Sequence, residues 1–304
     1  MPLDPSAQAI LTLIAEAGAP PIQESSPEDV RATFAAMAAL GGEGAAVASV
    51  VSRAVGDVPA LVVTPTGEGP FPILVWIHGG GWVIGSATES ASTARDLAAS
   101  AQCIVVSLDY RLAPEHKAPA ALDDCRTATT WVLDHASELG GDPTRVAVGG
   151  DSAGGNLAAL VAIALGDRLR YQVLVYPAVD LTMASPSITE NGTGYLLEQA
   201  GMEWFIGHYL DGTGIDRADP SVSPLNATDD ELAKVAPAFV ITAEFDPLRD
   251  EGEAYAAKLR SLGVDVTHRR FDGQIHGFYS MGSMIPDAVA AVEQSAELLR
   301  KAFA

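Results

Sequence analysis

Two periods of apolar residues run through this chain, and the change from one to the other divides it. Ile10, Leu13 and Ile14 share one face of a helix that Asp4-Pro5 opens, as N-cap and first helical residue, and Gly18 ends. Ser26-Pro27 opens a second helix carrying Val30, Phe34 and Met37. Both precede any strand signal, so two amphipathic helices stand ahead of whatever they cover. From residue 47 the spacing is that of strands, and 47–55 and 58–64 read as a hairpin closed by Gly56-Asp57. Residues 73–77 and 103–108 are near-continuous apolar runs, as in strands buried on both faces. Further strands are expected at 146–148, 171–176, 238–242 and 264–271. Helices are expected at 88–101, 118–136 and 248–262, after residue 152, and from about 285 to 303. That alternation predicts an α/β fold with a mostly parallel sheet.

Residues 183–219 interrupt the pattern with Gly192, Gly194, Gly201, Gly207, Gly212 and Gly214 among the aromatics Tyr195, Trp204, Phe205 and Tyr209. A helix at about 198–210 is expected there, and no strand. An insertion over the carboxyl edge of the sheet fits, because ligands of such folds bind at that edge. The expected division is N-terminal cap helices at 1–45, a catalytic domain at 46–182 and 220–304, and a cap insertion at 183–219.

Composition narrows the class. With 304 residues, 48% apolar and 19% charged, the chain is globular and long enough for one large core. A formal net charge of -21, with lysine only at Lys117, Lys234, Lys258 and Lys301, argues against nucleic acid or an anionic membrane as partner. The first basic residue is Arg31, and no apolar run approaches the roughly 18 residues of a membrane span, so the cytoplasm is the expected address. Cys103 and Cys125 have no partner at ligand spacing and are expected to be buried free thiols; no metal site is expected.

Candidate chemistry centres on residues 145–156, Arg-Val-Ala-Val-Gly-Gly-Asp-Ser-Ala-Gly-Gly-Asn, which read as strand, sharp turn and helix. Gly150-x-Ser152-x-Gly154 lies at the bend, where only glycine-sized neighbours let strand and helix approach. Such a turn exposes the Ser152 hydroxyl at the positive end of a helix, placed to attack a carbonyl. The hydroxyl needs a base, and the base needs an acid to orient it. Of six histidines, His276 in Asp-Gly-Gln-Ile-His-Gly-Phe lies just past the last strand, on the edge where such loops converge. Asp246 follows the preceding strand and is the leading acid, with Glu244 and Asp250 as neighbours and a helix N-cap as its other role. His78-Gly79-Gly80-Gly81-Trp82 follows the central strand and holds more glycine than a turn requires, before a tryptophan expected to be exposed. Its Gly80 and Gly81 amides, with that of Ala153, could stabilise an oxyanion at about 3–4 kcal/mol per donor. His78 is expected to brace this loop.

Together these motifs resemble the hormone-sensitive-lipase family of α/β-hydrolase esterases. The resemblance rests on His78-Gly79-Gly80-Gly81-Trp82, Asp109-Tyr110-Arg111-Leu112-Ala113-Pro114-Glu115, Gly150-Asp151-Ser152-Ala153-Gly154-Gly155, Asp246-Pro247-Leu248-Arg249-Asp250 and His276-Gly277-Phe278. Ser152, Asp246, His276 is also the chain order of the α/β-hydrolase triad. The resemblance implies an eight-stranded sheet, flanking helices, and a helical cap built from the N-terminal helices and the insertion after the sixth strand. It implies two-step hydrolysis of short- to medium-chain acyl esters through an acyl-enzyme, with no cofactor. It further implies that Asp109, Arg111 and Glu115 are structural, tying down the oxyanion loop, while Asp151 holds that loop or faces the pocket.

Trp82, Tyr195, Phe205, Leu225 and Phe278 are expected to line the substrate pocket. The expected partners are a small ester and water. The resemblance is also compatible with a homodimer through the last strand, here 264–271, although Arg269 and Arg270 suit an exposed polar edge equally. Other functions open to this pattern are an amidase, a lactone or carbamate hydrolase, an acyltransferase, or a ligand-binding protein on the same fold.

Overall fold

The computed structural model describes residues 2–304. Asp4 caps α1 (Pro5–Ala17) by accepting a hydrogen bond from Ser6 N at 2.8 Å, and Gly18 closes the helix at φ 65°. Ser26 caps α2 (Pro27–Met37) through Asp29 N at 3.2 Å. Then come β1 (Ser49–Val55), β2 (Val58–Thr64), β3 (Phe71–Ile77), α3 (Ala91–Ala101), β4 (Ile104–Leu108) and α4 (Ala120–His135). β5 (Gly141–Asp151), α5 (Ala153–Leu165) and β6 (Tyr171–Val175) complete the first half. α6 (Pro186–Glu190), α7 (Gln199–Leu210) and α8 (Asp229–Leu232) follow, before β7 (Ala238–Phe245), α9 (Arg249–Ser261), β8 (Val266–Ile275) and α10 (Pro286–Phe303).

The eight strands form one sheet in the order β1-β2-β4-β3-β5-β6-β7-β8. The β1–β2 and β2–β4 pairs are antiparallel, and every other pair is parallel. Alternation along each strand sorts the core into two layers. Val75, Ile77, Val148, Leu174 and Val240 pack beneath α4, α5 and α9, through Cys125, Leu157 and Leu259 among others. Leu74, Trp76, Ala147, Val173 and Ile241 face the other way, onto Leu97 of α3 and Ala291 and Leu299 of α10. Each buried Val, Leu or Ile among them contributes roughly 1.5–3 kcal/mol by leaving water. Both faces being covered explains why the central strands read as unbroken apolar runs. Cys103 and Cys125 are buried free thiols.

Three element boundaries depart from the sequence pattern. β7 and β8 run on past their apolar stretches to pair Ala243 with Phe271 and Phe245 with Ile275 across an irregularity, so polar Glu244, Asp272 and Gln274 are strand residues. β5 starts at Gly141, ahead of its apolar run, because Gly141 pairs with Phe71 before the register shifts. α6 and α8 are too short to show a helical period. α8 is set by a capping box in which Thr228 and Glu231 exchange hydrogen bonds. β8 is an edge strand, with Arg269 engaged by Gln294 at 2.6 Å and Arg270 by Asp272 at 2.8 Å.

Candidate active site

β5 ends and α5 begins at Ser152, whose backbone sits at φ 57°, ψ -119°. That conformation is strained for a residue with a side chain, and the surrounding hydrogen bonds impose it. Ser152 N donates to Val175 O at 2.9 Å, and Ser152 O accepts from Asn156 N at 2.9 Å and Ala178 N at 3.3 Å. The two glycines of the motif are there for space. A Cβ on Gly154 would overlap the carbonyl oxygens of Ile77 and His78, and one on Gly150 would overlap those of Ile77 and Gly154.

The β6–β7–β8 register brings the other two groups to the same edge. His276 follows β8 directly, and Asp246 follows β7. His276 Nε2 lies 2.9 Å from Ser152 Oγ, and its Nδ1 lies 2.8 Å from Asp246 Oδ2. A carboxylate only accepts, so Nδ1 carries the proton and Nε2 is left to accept from the serine hydroxyl. Asp246 is fully buried, and its Oδ1 accepts from Leu248 N at 2.8 Å. It therefore orients the imidazole and also turns the chain into α9. Its neighbours are committed elsewhere: Glu244 accepts from Gly273 N at 2.7 Å, and Asp250 accepts from Ser187 N at 2.9 Å. The ring of Tyr176 lies 4.5 Å from that of His276. No sequence pattern singled out Tyr176; its position at the end of β6 is the one signal that could have done so.

The glycine loop after β3 is held from several sides. Gly80 and Gly81 adopt φ 113° and 56°, which glycine reaches without strain. Val83 N and Ile84 N close on Gly80 O at 3.0 and 2.9 Å. Gly79 N donates to Asp151 Oδ1 at 3.1 Å, and Tyr110 Oη donates to His78 O at 2.9 Å. Buried His78 stacks on Tyr110 at 4.3 Å and bonds Gly79 O at 2.7 Å, a brace as expected. Among the described residues, the N–H groups of Gly80, Gly81 and Ala153 form no hydrogen bond. Burial pushes the Asp151 carboxyl up to about 6, against the pull of the Gly79 amide.

Trp82 is not exposed. Its indole is 3% accessible and stacks at 4.7 Å on Tyr209 of α7, so the loop is pinned to the insertion by its tryptophan. Asp109 holds the segment after the loop through Ala87 N, but Arg111 and Glu115 do not tie the loop itself. Arg111 pairs with Asp124 of α4, and Glu115 takes a bidentate bond from Arg31 of α2 at 2.7 and 2.8 Å. Arg31 also donates to Val83 O and Ala113 O, both at 2.9 Å, so one side chain joins the N-terminal helix to the oxyanion loop. The Arg31 hydrogen bonds hold the Glu115 carboxyl down at about 2. Arg31 lies 84 positions from its carboxylate partner, too far for any local pattern to reveal.

A cavity of about 530 Å³ opens over Ser152 and His276, lined by Gly79, Gly80, Gly81, Trp82, Asp151, Ala153 and Tyr176 at its base. Val30, Phe34 and Met37 of α2 and Met202, Phe205 and Ile206 of α7 roof it. Two expected pocket residues, Trp82 and Phe205, line it, and the ring of Phe205 rests against the bare face of Gly81. The other three do not. Tyr195 packs on Phe245 at 5.1 Å beside an outer groove. Phe278 is buried behind the site between Tyr176 and Phe271, and Leu225 sits in the turn 224–226, where its amide bonds Val179 O.

Fold, nucleophile turn and glycine loop together define an α/β-hydrolase, and residues 74–280 match the model of an alpha/beta hydrolase fold family. The chain belongs to that family, in its hormone-sensitive-lipase branch. It is 42% identical to the carboxylic ester hydrolase LipN of Mycobacterium tuberculosis, over 81% of this chain and 67% of that one. It is 40% identical to the carboxylesterase NlhH of the same organism, over 81% and 79%. The hyperthermophilic esterase of Pyrobaculum calidifontis superposes with a TM-score of 0.92 at 38% identity, over 99% of each chain.

Proposed function

We propose that this protein is a serine carboxylesterase acting on short- to medium-chain acyl esters, with Ser152 as nucleophile, His276 as general base and Asp246 as orienting acid. The observation that carries the reading is the unbroken hydrogen-bond chain from buried Asp246 through His276 to Ser152 at the floor of a roofed cavity. Ser152 Oγ attacks the ester carbonyl while His276 Nε2 takes its proton. The developing oxyanion is met by the N–H groups of Gly80, Gly81 and Ala153, which have no other partner among the described residues. His276 returns the proton to the departing alkoxide, so the alcohol leaves neutral and the acyl group stays on Ser152. Water, deprotonated by the same imidazole, then cleaves the acyl-enzyme and restores the hydroxyl.

Residues 1–45 and 183–219 act as the cap on a catalytic domain formed by 46–182 and 220–304. The substrates are a small ester and water, used without cofactor. The address in this reading is the cytoplasm; among the described residues, no helix is long and apolar enough to cross a membrane. A homodimer would form through the outer edge of β8, which pairs with no further strand and takes a bond from Asp4 N at Gly273 O. Turnover of p-nitrophenyl acetate, butyrate and longer esters by wild type, and its loss in Ser152→Ala, tests the assignment. Equal turnover by both proteins would sink it.

A further inference from the structure

The ionisable wall of the cavity is acidic, with no basic side chain apart from the catalytic His276. Asp29, Glu89, Asp151, Asp180 and Glu251 line it, and no Lys or Arg is among its lining residues. Arg31, between the lining residues Val30 and Ala32 of α2, is turned to Glu115 and the carbonyls of Val83 and Ala113. The carboxyls come from separate segments: Asp151 precedes the nucleophile, Glu251 of α9 accepts from the Asp180 amide after β6, Glu89 lies in the loop before α3, and Asp29 lies on α2. Glu251 is 1% accessible, and its Oε1 accepts from Val179 N and Asp180 N at 2.8 and 3.1 Å. Its Oε2, and Oε2 of Glu89, are buried without a hydrogen-bond partner among the described residues. Burial pushes both carboxyls up, with Asp109 adding to the rise at Glu89, so they hold their protons longer than surface carboxyls do and the negative charge on the wall grows as pH rises. A carboxylate facing a roofed, mostly apolar cavity is screened less than one on the surface, and low-dielectric walls focus its field on whatever enters.

We propose that the cavity selects esters by charge, admitting neutral and cationic esters and rejecting those with a carboxylate near the scissile bond. This rests on the serine-esterase reading above. The same field acts on the product, because hydrolysis of a neutral ester creates a carboxylate of the sign the walls repel.

Three aryl acetates with similar leaving groups separate the possibilities: methyl 4-acetoxybenzoate (neutral), 4-acetoxybenzoate (anionic) and 4-(trimethylammonio)phenyl acetate (cationic). Each kcat/KM is divided by the rate of that ester with hydroxide alone. In alkaline buffer at about 10 mM salt, where the wall is most fully ionised and the screening length is roughly 30 Å, the neutral ester should exceed the anionic one by about tenfold or more. The cationic ester should equal or exceed the neutral one. The neutral-to-anionic ratio should shrink as salt rises, and should shrink in Asp180→Asn and in Glu89→Gln at low salt. The salt series on wild type carries the test if a variant does not fold. A ratio within twofold of one, or one that neither salt nor the variants change, would overturn the proposal and leave the esterase reading intact. Failure to hydrolyse any of the three esters would remove that reading and the charge selection with it.

Discussion

Replacing Asp246 by Asn changes one atom and should disable the base. Asp246 makes two hydrogen bonds with no water between: Oδ1 accepts from Leu248 N and Oδ2 faces His276 Nδ1, both at 2.8 Å. If the asparagine oxygen keeps the bond to Leu248 N, its NH₂ is aimed at Nδ1. The imidazole must then carry its proton on Nε2, where it cannot accept one from Ser152, 2.9 Å away. If the amide flips, the imidazole is satisfied but an NH₂ meets the Leu248 N–H in a fully buried position, leaving both donors unpaired at about 1–3 kcal/mol each. The first arrangement is thus favoured, and loss of the correct tautomer lowers kcat by about 10³–10⁴, or roughly 4–5.5 kcal/mol. The assay is kcat on p-nitrophenyl butyrate together with the rate of fluorophosphonate labelling, both falling in parallel while the thermal midpoint stays within a few degrees of wild type. A variant that keeps a tenth or more of wild-type kcat refutes the reasoning, because Asp246 would then not set the state of His276.

Gly81→Ala should lower kcat/KM at least about tenfold, since the new Cβ overlaps the Phe205 ring and a left-handed alanine costs about 1–2 kcal/mol. Adding Phe205→Ala should recover only the steric share, and steady-state kinetics on the three proteins checks this. Asp151→Asn tests the burial of that carboxyl, which titrates at about 6 in the fold against an ordinary 3.8. Between those values the folded chain holds a proton that the unfolded chain has released, so this group's contribution falls as pH rises and is flat above the window. The unfolding free energy of the variant, measured by denaturant titration, should therefore gain on wild type between pH 4.5 and 8, by at most about 3 kcal/mol; no differential change would contradict the shift. Arg31→Ala should lower the midpoint by a few degrees and raise KM more than it lowers kcat. The half-exposed ion pair with Glu115 contributes about 1 kcal/mol or less, while the bonds to Val83 O and Ala113 O seat the cap helix on the loop. A fall in kcat alone would contradict that division.

What could be read from the chain was whatever is written locally. The capped starts of α1 and α2, the hairpin of β1 and β2, and the doubly buried central strands each follow from residues a few positions apart. The nucleophile turn is equally local, because Gly150 and Gly154 are required by backbone contacts beside Ser152. His276 and Asp246 were legible through topology, since successive parallel strands deliver the residues after them to one edge. Contacts between distant segments were not legible. The stacking of Trp82 on Tyr209 buries a residue whose neighbours suggested exposure, and Arg31 reaches Glu115 across the cap. Phe278 and Tyr195 were misplaced for the same reason: their neighbours Gly277, Tyr279 and Leu196 line the cavity, but their own side chains pack away from it, while Leu225 lies in a turn whose residues do not line the cavity.

The most direct measurement is to treat the protein with a fluorophosphonate and map the modified peptide by mass spectrometry. A hydroxyl activated by His276 and Asp246 predicts a single adduct, on Ser152, that is absent from Ser152→Ala and slowed in Asp246→Asn. An adduct on another side chain, or none on the folded protein, would contradict the account.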